Sequence, residues 1–152
     1  MIKITNRQRK IKIDMRAIRR DLTRLLEILG YKHFDLGLLI TTNKSIQKYN
    51  REFRHKDKPT DILSFPYYPK LKAGERISII DPRETDAQNL GDILISAEYV
   101  FDQIGYDQEA FDARMRVLLV HGICHLLGYD HIREVDYKKM HAKELTLLRK
   151  LR

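Results

Sequence analysis

Apolar positions change their period along the chain, and each change marks an element. Ile18, Leu22, Leu25, Leu26 and Leu29 recur at steps of three and four, the spacing of one helix face. Arg16, Arg19, Arg20 and Arg24 lie largely off that face. The pattern predicts a helix over 15–29, with Asp14 as its cap and Gly30 as its stop. LGLLITT (36–42) alternates at Leu36, Leu38 and Ile40, which predicts a strand. Asn43 then stands as the cap of a second helix carrying Ile46, Tyr49 and Phe53, and Pro59 makes HKDKPTD (55–61) a loop. DILSFP (61–66) and GDILIS (91–96) read as strands. Further helices are predicted over 97–104, from Asp107 to Gly128, and over 135–151, the last with Tyr137, Met140, Leu147, Leu148 and Leu151 on one stripe. The IKI pieces near the N-terminus suit an edge strand. Residues 67–90 are polar and weakly patterned, with RISII (76–80) as a candidate short strand. Helices and strands alternate without strict βαβ order. The expected class is α+β, a mixed sheet of about four strands packed with about five helices.

A chain of 152 residues suits a single domain over 1–152 with a sizeable core. Apolar content of 43% with 33% charged residues excludes a disordered chain. No apolar run reaches the roughly 18 residues of a membrane span, and MIKITNRQRKIKID carries no apolar signal core. The single cysteine, Cys124, excludes an intrachain disulfide and predicts no disulfide-linked partner; it fits a reducing cytoplasm. Net charge is +8, unevenly spread: residues 1–60 hold 16 Lys/Arg against 6 Asp/Glu, a net of +10, and the remainder a net of −2. Such asymmetry points to a polyanionic partner and predicts one basic surface continuous with the functional cleft.

Candidate chemistry is concentrated in HGICHLLGYDH (121–131), which holds three of the six histidines. Four residues apart on a helix, His121 and His125 share a face. Gly128 can end the helix in a left-handed conformation, letting the chain turn and bring His131 back as a third nitrogen. Three protein ligands leave one tetrahedral position open, as in a catalytic zinc site, and metzincin proteases share this HxxxHxxGxxH spacing. Gly122, however, stands where an HExxH protease carries its general base. Peptide hydrolysis also needs a proton for a poor leaving group, whereas a phosphodiester needs charge stabilisation at phosphorus, which an arginine supplies. The missing glutamate and the basic N-terminal portion both point away from a protease. Cys124 is a rival fourth ligand for a closed structural site; a small buried apolar role is the alternative.

HGICHLLGYDH, FRHKDKPTDILSFP (53–66) and LGDILIS (90–96), in that arrangement of blocks, resemble the bacterial YbeY family of rRNA maturation factors, over roughly residues 30–150. The resemblance implies an α+β, distantly zincin-like fold and a zinc-dependent, single-strand-specific endoribonuclease. It implies action on ribosomal RNA of the small subunit, at its 3′ end, and a part in ribosome quality control. The metal ligands carried over are His121, His125 and His131, with one Zn2+ per chain. The arginine before DKPT is Arg54; the candidate catalytic residues are Arg54, on the scissile phosphate, and His121. Where the family has a leucine-type residue, this chain has Cys124, which favours packing over ligation.

Two rivals stand beside this reading. One is a metal-dependent hydrolase of another substrate, such as a peptide; the other is a non-catalytic ribosome-assembly factor with a structural metal. Asp61 and Ser64 are candidates to orient groups near the site or to stabilise their loop, and Asp130 to hold a ligand histidine or cap a turn. Glu144 falls on the apolar stripe of the last helix, where a buried salt bridge to an arginine is expected. His33, His55 and His141 read as surface residues, with His55 a candidate RNA contact.

Overall fold

The computed structural model describes residues 1–79, 81 and 83–152. Its elements are β1 (Ile2–Asn6), α1 (Met15–Leu29), β2 (Asp35–Thr41), α2 (Asn43–Arg54), β3 (Ile62–Pro66), β4 (Asn89–Ser96), α3 (Ala97–Gln103), α4 (Gln108–Leu126) and α5 (Glu134–Leu151), with a 3-10 turn at Thr85–Ala87. The class is α+β. The strands form one mixed sheet in the order β1-β2-β4-β3, parallel except for β3, which runs antiparallel to β4.

Strand alternation divides the sheet into two faces. Ile4, Leu36, Leu38, Ile40, Ile93 and Ile95 point to one face and join the main core with α1, α4 and α5. Leu39, Leu63, Phe65 and Leu94 point to the other, where Ile46 and Tyr49 of α2 cover them. One bulge interrupts the parallel pairing: Asp35 opposes Asn89 but Leu36 opposes Gly91. Gly91 takes φ +118, and a Cβ there would overlap the Phe65 carbonyl oxygen, so only glycine lets β3 approach β4 at this point.

Local signals set most boundaries. Asp14 accepts from the Ala17 amide at 3.0 Å and Gly30 closes α1 at φ 79. The cap of α2 is Thr42, not Asn43: its side chain accepts from the Ser45 amide at 3.3 Å. The Asn43 side chain is instead committed to tertiary structure, accepting from the Ser96 hydroxyl at 2.7 Å. RISII does not form a strand over Arg76–Ile79, and Ile80 lies outside the described residues. The segment is tied to the end of α1, where Arg76 donates to the Leu29 carbonyl at 2.7 Å and sits over the Tyr31 ring. Those bonds replace strand pairing. On α5, Met140 and Leu147 are buried while Tyr137 is 52% exposed and stacks on His141. Val135 in the first turn of that helix and Ile132 just before it are exposed.

Candidate metal centre

From Leu118 to Leu126 α4 is apolar apart from its two histidines, because this half is buried between the sheet on one side and α1 and α5 on the other, whereas Gln108, Glu109 and Asp112 near its start are exposed. At its C-terminal end His121 and His125 lie one turn apart, half-buried. Leu127 ends the helix, Gly128 takes φ 90, and the Tyr129 amide donates back to the Cys124 carbonyl at 3.0 Å. This glycine turn reverses the chain and carries the His131 ring to 5.6 Å from that of His121 and 5.1 Å from that of His125. One nitrogen from each of the three rings lies within 4.8 Å of the others.

Their outward nitrogens explain how the inner ones point. His125 Nδ1 lies 2.9 Å from the Tyr129 carbonyl oxygen. A carbonyl only accepts, so Nδ1 carries the hydrogen and Nε2 of the neutral ring keeps its lone pair. His121 Nδ1 lies 3.2 Å from Glu144 Oε2, and donation to that carboxylate leaves its Nε2 likewise free. The two Nε2 atoms then face each other at 3.1 Å, a separation suited to two donors sharing one cation. Tetrahedral zinc with 2.0–2.1 Å bonds sets neighbouring nitrogens about 3.3 Å apart. The donor set therefore fits a metal ion of the kind that imidazole binds.

Burial, and after it the neighbouring His121 and His131, holds His125 down at about 4. The ring is consequently neutral near pH 7, the state a ligand needs. Cys124 is fully buried, and burial pushes its thiol up to about 12, with Glu144 adding to the rise. Among the described residues the cluster contains the three histidines and not Cys124. A protonated, buried thiol packs as an apolar group.

Gly122 faces the sheet. A Cβ there would meet Ile93 Cδ1 at 2.8 Å and Ile62 Cδ1 at 3.1 Å, so the position of the missing glutamate is a packing contact. Arg54 is the last residue of α2, exposed, outside the histidine cluster, and without a hydrogen bond or ion pair among the described residues. The loop that follows it leads to β3, whose first residue Ile62 abuts Gly122. Asp61 serves this loop: it accepts from the Ile62 amide at 2.8 Å and lies 3.9 Å from Arg114 of α4. Ser64 Oγ is buried with no hydrogen-bond partner among the described residues. Asp130 caps a turn, accepting from the Ile132 amide at 3.2 Å. Among the described residues Glu144 pairs with no arginine; its partner is His121. Sequence reasoning missed this contact and the Tyr129 carbonyl. A glutamate among the apolar positions of the last helix was the available signal for the first.

The basic residues of the first 60 positions do not form one surface. Arg16, Arg20 and Arg24 are exposed on α1, which covers the same sheet face as α4. Lys44, Lys48 and Arg51 are exposed on α2, over the opposite face. Lys3 and Arg7 line a groove of about 520 Å³ on that opposite face, with Tyr49, Phe53, Phe65 and Asp92. These charges are close in sequence, but α1 and α2 pack on opposite faces of the sheet and so separate them.

The model of the family described as Endoribonuclease YbeY matches residues 3–152. A human protein named Endoribonuclease YbeY is 40% identical over 148 residues, covering 97% of this chain and 86% of the relative. Its namesake from Geobacter metallireducens is 37% identical over 145 residues, covering 94% and 90%. Among solved structures, the solution structure of TM1509 from Thermotoga maritima aligns with a TM-score of 0.58 at 21% identity, over 99% of this chain and 89% of that one. It shares the fold. With a family match across nearly its whole length, and relatives this similar over most of theirs, the chain belongs to the endoribonuclease YbeY family.

Proposed function

We propose that this chain is an endoribonuclease, one metal-dependent domain over residues 1–152, in which His121, His125 and His131 hold a single zinc ion. The observation that carries the reading is the convergence of three imidazole nitrogens in a chain of this family. Three nitrogen ligands suit zinc and leave a coordination position for chemistry. When bound, the metal supplies Lewis acidity and lowers the pKa of a water. The chain's own residues do the rest. His121 and His125 present their lone pairs to the ion, and Arg54 binds the scissile phosphate with a planar two-pronged donor. The substrate is single-stranded RNA, specifically the small-subunit ribosomal RNA at its 3′ end. The small subunit is the partner and ribosome quality control the wider role, both supported by the YbeY resemblance; the cytoplasm is the compartment, a reading supported by the single cysteine. No helix among the described residues is long and apolar enough to cross a membrane.

The peptidase alternative loses support at Gly122, where no side chain can enter the cleft as a base. The assembly-factor alternative is separated by experiment. Purified protein is assayed on single-stranded and structured RNA, with and without chelator, beside Arg54→Ala. Expected is cleavage of the single-stranded RNA, abolished by chelator and restored by zinc. Arg54→Ala should retain its zinc and melting temperature but lose roughly 10²–10³-fold in single-turnover rate, by analogy with removal of one donor to developing charge. Arg54→Lys should recover part of that loss. A zinc-loaded protein that binds RNA without cutting it would establish the assembly-factor reading instead.

A further inference from the structure

α5 docks on the body through Met140 and Leu147, each 1% exposed. Glu144 lies four residues after the first and three before the second, so all three share the docking face. Its side chain is 16% exposed. Among the described residues no lysine or arginine pairs with it, and its hydrogen-bond partner is His121 Nδ1 at 3.2 Å. A carboxylate at such a position is costly to desolvate, and an apolar residue of similar size would continue the stripe. A local rule broken in this way, against one ring of the histidine cluster, calls for a role in that cluster.

The two helix-borne histidines are held by different means. The outer nitrogen of His125 is satisfied four residues away, by the Tyr129 carbonyl that the Gly128 turn delivers. The outer nitrogen of His121 is satisfied 23 residues away, from a separate helix. Without that second acceptor the His121 ring would be free to rotate and to place its hydrogen on either nitrogen. With it, Nδ1 keeps the hydrogen and Nε2 faces the cluster.

We propose that Glu144 is a positioning residue: it fixes the tautomer and orientation of His121 for metal binding, and so makes the metal site depend on the docking of α5. This rests on the reading of the three histidines as a metal site, which the His125→Ala control tests separately. Full-length protein is stripped of metal and titrated with zinc against a chromophoric chelator, and the metal-free forms are melted in parallel. Glu144→Leu should lose roughly 10–100-fold in zinc affinity, the range for loss of such an outer partner. Its metal-free melting temperature should be unchanged or raised, because the desolvated carboxylate is gone. Glu144→Gln retains an acceptor oxygen and should lose less. In the metal-free wild type, nitrogen-15 shifts of His121 should report hydrogen on Nδ1.

A structural ion pair would give the opposite pattern for Glu144→Leu, lower stability with zinc affinity intact, and would overturn the proposal. Should that variant fail to fold, Glu144→Gln decides: zinc affinity equal to wild type overturns the role. Hydrogen on Nε2 of His121 would overturn it too. If wild type and His125→Ala bind zinc equally, the metal reading itself fails and takes this role with it.

Discussion

A glutamate at position 122 would have to grow into space that Ile93 and Ile62 already fill. Even a methyl group there requires those side chains to move by a few tenths of an ångström, and a carboxylate would add an unpaired buried charge. Gly122→Glu should therefore cost about 3 kcal/mol or more in urea denaturation of the metal-free protein, and should yield no peptidase activity. Stability equal to the parent would mean that position 122 opens onto the cleft after all. The same contact explains a resemblance and a difference at once. Histidine spacing is shared with zinc proteases because the helix period imposes it. The residue between the histidines differs because this helix lies against the sheet at that point.

At the scale of elements, the Gly128 turn joins α4 to the third histidine. Its φ of 90 is unfavourable for any side chain, and a Cβ would overlap the carbonyl oxygen of Leu71. Residues 71–72, within the weakly patterned stretch, thus form the lid of the turn. Gly128→Ala should lose about 1–3 kcal/mol from strain alone. Because the turn also places the Tyr129 carbonyl and His131, zinc affinity should fall with it; an alanine variant binding zinc normally would show that His131 is placed by other contacts. The glycine and the histidine spacing were legible in the sequence, as were the caps at Asp14 and Asp107, because each works within a few residues. What depended on distant partners was not. Thr42 rather than Asn43 caps α2 because Asn43 is recruited by Ser96, 53 residues away. Arg76–Ile79 looked like a strand by composition but is tied by hydrogen bonds to Leu29 and Tyr31 at the end of α1, and the strand order could not be read from local pattern at all. Glu144 was visible as an oddity on a stripe, and its partner was not.

For the molecule as a whole, both charge and stability follow from which layer a residue joins. The basic excess near the N-terminus is real, yet α1 and α2 carry it to opposite faces of the sheet. The histidine cluster and the family, not a continuous basic surface, consequently point to an RNA substrate. Stability should respond to acid through the buried end of α4. His125 is held down at about 4 in the folded protein by burial first and by His121 and His131 next, whereas in the unfolded chain it titrates near 6.5. Above about pH 6.5 it is neutral in both states and its contribution to stability is fully present. Between about 6.5 and 4 the unfolded chain binds a proton that the folded one refuses, so stability falls with pH; below about 4 this group contributes no further slope. Zinc loading should steepen the loss, since a protonated ring cannot ligate. Urea denaturation of chelator-treated wild type and His125→Gln across pH 4–7 measures the effect directly. Expected is a decline in wild type that is shallower in the glutamine variant, which has no proton to take up. Parallel curves for the two proteins would show that the acid sensitivity arises elsewhere, and that His125 is not the residue whose burial sets the acid limit of the metal-free fold.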